Sequence, residues 1–99
     1  MTKRLIISTT GLTKSQESEL KDSFQGALWW HRLPGFWLVA DRTNELTTTK
    51  IADEIHKLNP NSRAMVLEVN PVTWTSLLKE GDESEKTLAW MVDFWNLKK

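Results

Sequence analysis

Cysteine is absent from this sequence. Its absence excludes a disulfide scaffold, a zinc site with thiolate ligands and a cysteine nucleophile, and it fits a reducing compartment. Long apolar runs are absent as well, because the N-terminal run from Leu5 to Ile7 is far too short for a signal peptide or a membrane span. We therefore expect a cytoplasmic protein.

Neither sign of charge is in excess. The chain has 13 Lys and Arg residues and 13 Asp and Glu residues, so its formal net charge is zero. Proteins that bind nucleic acid through its phosphates usually carry a basic excess. This chain can bind in that way only if its charges are segregated into patches.

Glycine is scarce too, with four residues in 99, and we find no glycine-rich phosphate loop. No serine lies in a nucleophile-elbow motif. What is present is an apolar fraction of 39%, which at this length suits a single domain, residues 1–99, with a real core.

The first part of the chain predicts a strand, a helix and a β-hairpin. Arg4–Thr10 is rich in β-branched residues and is typical of a strand. Thr13 and Gln16 have the spacing of a capping box, so a helix begins there, and Gly26 stands where a C-cap glycine belongs. Residues 27–41 contain two aromatic-rich runs on either side of a Pro-Gly turn, which indicates a hairpin.

The second part predicts a helix, a strand and a further helix. Either Thr47 or Thr48 caps a helix with the apolar stripe Ile51, Ile55 and Leu58. Arg63–Asn70 alternates like a strand, whereas residues 72–78 fit either a short fifth strand or a loop. Asp82 and Glu85 give the next cap signal. The helix after them has one predicted apolar face, widened by Trp90 and Phe94: Leu88, Met91, Val92 and Trp95.

The order β-α-β-β-α-β predicts an α+β protein of the ferredoxin-like, or split βαβ, type. Residues 4–70 would form this core with a four-stranded antiparallel sheet, and residues 71–99 would add a loop or short strand and a helix. Both core helices lie on one face of such a sheet. The other face is then a partner surface or binding platform, unless the C-terminal helix covers it. We expect a homodimer through that face or through an exposed strand.

Two histidines and six tryptophans are the side chains most open to a role in binding. His56 follows Asp53 at helical spacing, but one histidine and one carboxylate are an incomplete metal site, and a solvated helix face explains them. Trp29 and Trp30 are adjacent on a predicted strand, so they point to opposite faces. One of them must face a partner, the C-terminal helix or a ligand. Three other tryptophans are predicted to serve in packing, Trp37 in the core and Trp90 and Trp95 on an apolar helix face.

The stretch WWHRLPGFWLV is followed by a short polar loop, a Thr-capped IADEIHKL helix and RAMVLEV. It resembles the small SinR-like bacterial proteins, which are similar to CRISPR adaptation proteins of the Cas group and to virulence-associated protein D. The resemblance spans roughly Arg4 to Leu97 and is most specific in WWH-x-L-x-x-x-W-L-V. It implies a ferredoxin-like fold, frequent homodimers and, in some branches, metal-dependent nuclease activity.

The nuclease branches of that family look to an aspartate at the end of the first strand. Here that place reads Ser8-Thr9-Thr10-Gly11, and either Thr9 or Thr10 aligns with the acid. A neutral hydroxyl is a poor anchor for magnesium. We therefore expect no catalytic residues, no metal and no other cofactor. The candidate ligand-binding residues are these hydroxyls and the hairpin group, in which aromatic rings could stack bases: Ser8, Thr9, Thr10, Trp29, Trp30, His31 and Arg32.

Three functions remain open at this point. The first is a non-catalytic, dimeric protein that binds a nucleotide or nucleic acid. The second is a regulatory protein–protein module, such as an antitoxin or an accessory factor of a phage or mobile element. The third is a metal-dependent nuclease with a displaced site, in which carboxylates such as Asp41 or Glu68 converge across a dimer.

Overall fold

The computed structural model describes residues 2–24, 26–71, 73–75, 77–79 and 83–95. In these residues the chain forms four strands and three helices, which confirms the predicted α+β architecture with a four-stranded antiparallel sheet. The last helix continues into a π-helical segment, Met91–Trp95. In chain order the elements are β1 (Lys3–Thr10), α1 (Lys14–Asp22), β2 (Leu28–Leu33), β3 (Phe36–Asp41), α2 (Thr48–Leu58), β4 (Arg63–Val69) and α3 (Ser84–Trp90).

The strands lie side by side in the order β2-β3-β1-β4, and every neighbouring pair is antiparallel. β1 is central, with Ile7 opposite Trp37 on one side and opposite Val66 on the other. β2 and β4 are therefore the two edges of this sheet. β2 also carries an irregularity in its register between Trp30 and Leu33.

One face of the sheet packs against α1 and α2. Alternate residues of β1 and β3 point to this side because successive strand side chains point to opposite faces. They meet the apolar stripes of the two helices in one buried cluster: Leu5, Ile7, Trp37 and Val39 from the sheet, with Leu20, Phe24, Ile51 and Ile55. Burial of a side chain of this size stabilises the fold by about 1.5–3 kcal/mol, so this layer supplies the main core.

The C-terminal helix covers much of the opposite face, as one of the two alternatives predicts. Trp30 and Leu38 of the sheet form a second buried cluster with Met91 and Trp95. The indole Nε1 of Trp30 donates to Thr87 Oγ1 at 2.9 Å. The buried Arg4 guanidinium donates through Nε to the Trp95 carbonyl at 2.6 Å, where a cation also suits the negative end of the helix.

The helix boundaries agree with the capping signals at two places and disagree at one. Gln16 N–H donates to Thr13 Oγ1, and the Gln16 side chain accepts from Thr13 N–H, so the capping box is confirmed. Thr47, and not Thr48, caps α2. The prediction that Gly26 is the C-cap of α1 is wrong, because the helix ends earlier, at Asp22, with Ser23 as its cap. Gly26 instead has φ +94° in the turn that follows.

Two of the four residues predicted to form the apolar face of the C-terminal helix are buried, and the prediction is wrong for the other two. Met91 and Trp95 are buried, but Leu88 and Val92 are 56% and 47% exposed. The buried positions are spaced by four residues from Thr87 onward, and the helix widens to π geometry at Met91. The wider turn holds Met91 and Trp95 against the sheet and leaves Leu88 and Val92 in solvent.

Parts of the C-terminal region bear on the remaining structural predictions. Residues 73–75 and 77–78 lie in no strand, as the loop alternative predicts, while residues 72 and 76 and the predicted cap Asp82 lie outside the described residues. Within the described part of the chain, no helix has both the length and the apolar content that crossing a membrane requires.

Candidate functional site

A groove of about 180 Å³ runs between the free edge of β2 and the helix α3. The structure brings four of the predicted site residues together along one wall of this groove. The opposite wall comes from α3, far away in the sequence. The lining residues are Trp29, Trp30, His31 and Arg32 from β2, with Lys86, Thr87 and Trp90 from α3.

Trp29 presents an aromatic surface to solvent next to this groove. It is 39% exposed, the largest exposure among the tryptophans of β2 and β3. Its ring leans on the buried Trp37 with centroids 5.9 Å apart, and Lys21 Nζ of α1 lies 4.8 Å from its centroid. This partly exposed ring is suited to stacking a flat ligand, in competition with Lys21, whose Nζ lies over it.

Two cations share one carboxylate at the end of the groove. The Arg32 guanidinium pairs with Glu83 Oε1, and Lys86 Nζ lies 3.1 Å from Glu83 Oε2. The hydrogen bond from Lys86, followed by the charge of Arg32, lowers the pKa of Glu83. Glu83 has φ 58°, in the left-handed region that costs a non-glycine residue energy. Arg32 and Lys86 are thus oriented around an anionic group.

Trp30 and His31 are already engaged in the fold. Trp30 is only 7% exposed, and its N–H is occupied by Thr87. The His31 ring stacks flat on Trp37 at 3.7 Å, its Nδ1 lies 2.8 Å from the Phe36 carbonyl, and its Nε2 lies 3.6 Å from a Glu17 oxygen. His31 is therefore a sheet histidine wedged among aromatic and polar neighbours, and these two residues shape the groove wall.

Ser8, Thr9 and Thr10 do not line this groove, since β3 lies between β1 and β2. Ser8 and Thr10 are exposed, whereas Thr9 is buried. The Thr9 N–H donates to the Gly35 carbonyl at 2.7 Å and joins the end of β1 to the hairpin turn. The structure therefore divides the predicted ligand-binding residues into two separate groups.

Asp41 serves as an anchor for the loop after β3. Its Oδ1 accepts from Thr43 N–H and Oγ1 at 3.0 and 2.7 Å, and its Oδ2 accepts from Leu46 N–H at 2.8 Å. Burial raises the pKa of Asp41, but the hydrogen bonds from Leu46 and Thr43, with one from Glu45, outweigh it and lower the pKa overall. These donors occupy the carboxylate, so it is a poor candidate for the ligand of a displaced metal site.

A metal centre receives no support elsewhere in the described residues either. They contain no group of three or more His, Asp or Glu side chains arranged to hold an ion. Glu68 is exposed on β4, and His56 is exposed on α2, as a solvated helix face predicts.

The α3 wall of the groove has no signal in the sequence pattern. Thr87 joins Trp30 across 57 residues of sequence, and no local pattern indicates such a pairing. Trp90 packs against the second core cluster, as predicted, with its ring centroid 6.1 Å from that of Trp95, and it also lines the groove, which the sequence does not indicate. The contact between Lys21 and Trp29 is equally impossible to predict from the sequence, because a lysine on a helix indicates only a solvated face.

Comparisons with protein-family models, with curated proteins and with solved structures returned no match for this chain.

Proposed function

We propose that this chain is a non-catalytic protein that binds a nucleotide or a single strand of nucleic acid in the groove between β2 and α3. The observation that carries the proposal is the exposed Trp29 ring, which has Lys21 over it and lines the same groove as two further cations, Arg32 and Lys86. A base stacks on Trp29, and a phosphate takes the place of the Glu83 carboxylate between Arg32 and Lys86. Stacking and phosphate contacts are the two terms on which single-strand binding depends.

The zero net charge is compatible with this function because the relevant charges are local. Arg32 and Lys86 converge from two different elements on one point, and their partner there is a single carboxylate. A phosphate carries a larger charge than a carboxylate and has more acceptor oxygens. It therefore competes effectively with Glu83 for the same two cations.

The same proposal includes a ferredoxin-like fold, kinship with the SinR-like proteins, a homodimer and a cytoplasmic location. The strand order supports the first of these. β3 lies between β1 and β2, and β1 lies between β3 and β4, so each β-α-β unit is split by one antiparallel strand.

A regulatory protein–protein module is the second candidate function. A broad apolar groove of about 410 Å³ between the sheet and the C-terminal region favours it. Leu77, which borders this groove, is 96% exposed. Recovery of a stoichiometric protein partner in a pull-down, with no nucleotide or nucleic acid, would support this candidate over the first.

Binding of ADP and of a short fluorescein-labelled oligothymidylate tests the proposal directly, by calorimetry and fluorescence anisotropy. The variant Trp29→Ala removes the stacking ring, and loss of about 1–3 kcal/mol of stacking corresponds to a roughly five- to hundred-fold weaker oligothymidylate complex. An elevated ultraviolet absorbance of the purified protein, near the nucleic-acid maximum, would reveal a ligand that copurifies.

Lys86→Gln tests the anionic half of the groove against a matched control. Lys86 and Lys57 are both about three-quarters exposed, and each pairs with a glutamate three residues earlier. Only Lys86 lines the groove. We expect Lys86→Gln to weaken binding and reduce the salt dependence by about one phosphate contact, and Lys57→Gln to change neither. Equal effects of the two substitutions, or no binding by the unaltered protein, would contradict the proposal.

A further inference from the structure

β4 is an edge strand with exposed apolar side chains. It pairs with β1 on one side, and no described strand pairs with it on the other. Met65 and Leu67 on β4 are 63% and 46% exposed. An edge with free backbone groups and an apolar stripe is a template for pairing with another strand, unless it is covered.

The described part of the C-terminal helix, which ends at Trp95, does not cover this stripe. The cluster that it forms with Trp30 and Leu38 reaches Val69 at the end of β4 but includes neither Met65 nor Leu67. The other edge differs, because α3 lies beside β2 and the β2 register is irregular. β4 is regular over its full length, since all seven of its residues pair in one register with β1.

We infer that β4 pairs antiparallel with β4 of a second copy of this chain, around a two-fold axis at Val66. This inference rests on the dimer proposed above and names its surface. Residues directly opposite each other in an antiparallel pair share a face of the sheet. The register centred on Val66 is the one that pairs all seven residues, and it sets Met65 opposite Leu67 of the second copy.

The side chains of β4 fit this register. The two exposed apolar residues cover each other twice, once on either side of the axis. Glu68 lies opposite Ala64, and Arg63 lies opposite Val69, so no like charges face each other across the axis. Like charges directly opposite would destabilise the pair, and apolar cross-strand pairs stabilise it. The result is one continuous sheet of eight strands, with the two β4 strands paired at its centre.

Paired substitutions test the register as well as the surface, by sedimentation velocity at micromolar concentration. M65E/L67E places two glutamates directly opposite each other on either side of the axis, and we expect a monomer. M65E/L67K places a glutamate opposite a lysine at the same two points, and we expect the dimer to return, at least tenfold tighter than for M65E/L67E and weakened by salt. L88E/V92E is the matched control, because Leu88 and Val92 are similarly exposed but lie in the C-terminal helix; it should stay dimeric.

A monomeric unaltered protein, a dimer that survives M65E/L67E, or no recovery in M65E/L67K would each overturn the inference. Hydrogen exchange gives an independent readout on the unaltered chain: amides of β4 should gain protection with protein concentration, while those of α2 should not. Oligothymidylate binding in the groove is measured in a separate assay, and a negative outcome there does not alter the dimerisation result. Ligand binding in the groove and pairing through β4 can therefore fail independently.

Discussion

Replacing Gly35 with alanine tests how closely the β2–β3 turn is pressed against the end of β1. Gly35 has φ +67°, and a Cβ built on it meets the Thr9 carbonyl oxygen far inside the 3.0 Å limit that real Cβ atoms respect. The obstructing atoms belong to the backbone of a central strand, so no side chain can rotate away. The turn itself must lift off β1.

The expected loss combines two costs. A left-handed backbone costs a residue with a Cβ about 1–2 kcal/mol. Lifting the turn also breaks the hydrogen bond from Thr9 N–H to the Gly35 carbonyl, and a buried donor left without a partner costs about 1–3 kcal/mol. We therefore expect Gly35→Ala to lower the free energy of unfolding by about 2–5 kcal/mol, a large share of the roughly 5–15 kcal/mol of a typical domain.

Gly26→Ala is the matched control, because Gly26 has φ +94° and a Cβ built on it meets no atom within 4 Å. It carries the backbone cost alone, about 1–2 kcal/mol, and both variants gain similarly from a stiffer unfolded chain. Urea unfolding followed by tryptophan fluorescence measures both free energies. Equal losses in the two variants would refute the reasoning, since the contact with Thr9 would then add nothing.

Three further substitutions test single contacts. Asp41→Asn places an amide N–H₂ or a neutral oxygen against the donors of Thr43 and Leu46 and should lower the free energy of unfolding by about 1–3 kcal/mol. Because folding lowers the pKa of Asp41, the stability difference between the two proteins is full above the ordinary pKa of 3.8 and shrinks as the pH falls below it. Urea titrations at several pH values across that range measure the difference. Thr87→Val leaves the buried Trp30 N–H without its acceptor and should cost about 1–3 kcal/mol, whereas Thr49→Val on an exposed helix face should be nearly neutral; thermal unfolding separates them. Glu83→Gln removes the competing charge in the groove and should tighten oligothymidylate binding several-fold, while Glu54→Gln should leave it unchanged; weaker binding by Glu83→Gln would count against phosphate displacement of Glu83.

Local signals are enough to predict most of the elements. The Thr13–Gln16 box and the Thr47 cap act within three residues, and the Pro-Gly turn fixes a hairpin whose strands follow directly. Such short-range rules work because the interacting groups are neighbours in any conformation. Gly26 shows their limit: a glycine after a helix is compatible with a C-cap, but the last turn closes earlier, on Ser23.

Long-range placement is less accessible from the sequence. Two-residue periodicity correctly separates Trp29 from Trp30, because adjacent strand residues must face opposite sides. It does not say which one meets the C-terminal helix, since that depends on where α3 docks. Helical periodicity wrongly predicts burial of Leu88 and Val92 for a related reason. The π-helical segment rotates the buried face, and no pattern of residues predicts that segment. The α3 wall of the groove could not be predicted for the same reason, since it depends on where α3 docks.

The positions of the two proposed surfaces predict how they combine. The groove lies at the β2 edge and the self-pairing surface at the β4 edge, on opposite sides of the sheet. In the dimer the two grooves lie at the outer edges of an eight-stranded sheet, seven strand spacings apart, which is about 34 Å at the usual spacing of roughly 4.8 Å. A single nucleotide cannot span that distance, whereas a long single strand can occupy both grooves.

M65E/L67E should therefore leave the affinity for ADP unchanged and weaken the binding of a long oligothymidylate, because only the long ligand gains from two linked sites. A linked second site raises apparent affinity by up to about a hundred- to ten-thousand-fold when the ligand spans both. Calorimetry with ADP and anisotropy with oligothymidylates of increasing length measure the two effects on the same protein samples. If long and short ligands weaken equally in M65E/L67E, the β4 surface acts on the fold of the groove itself, and the independence of the two edges is wrong.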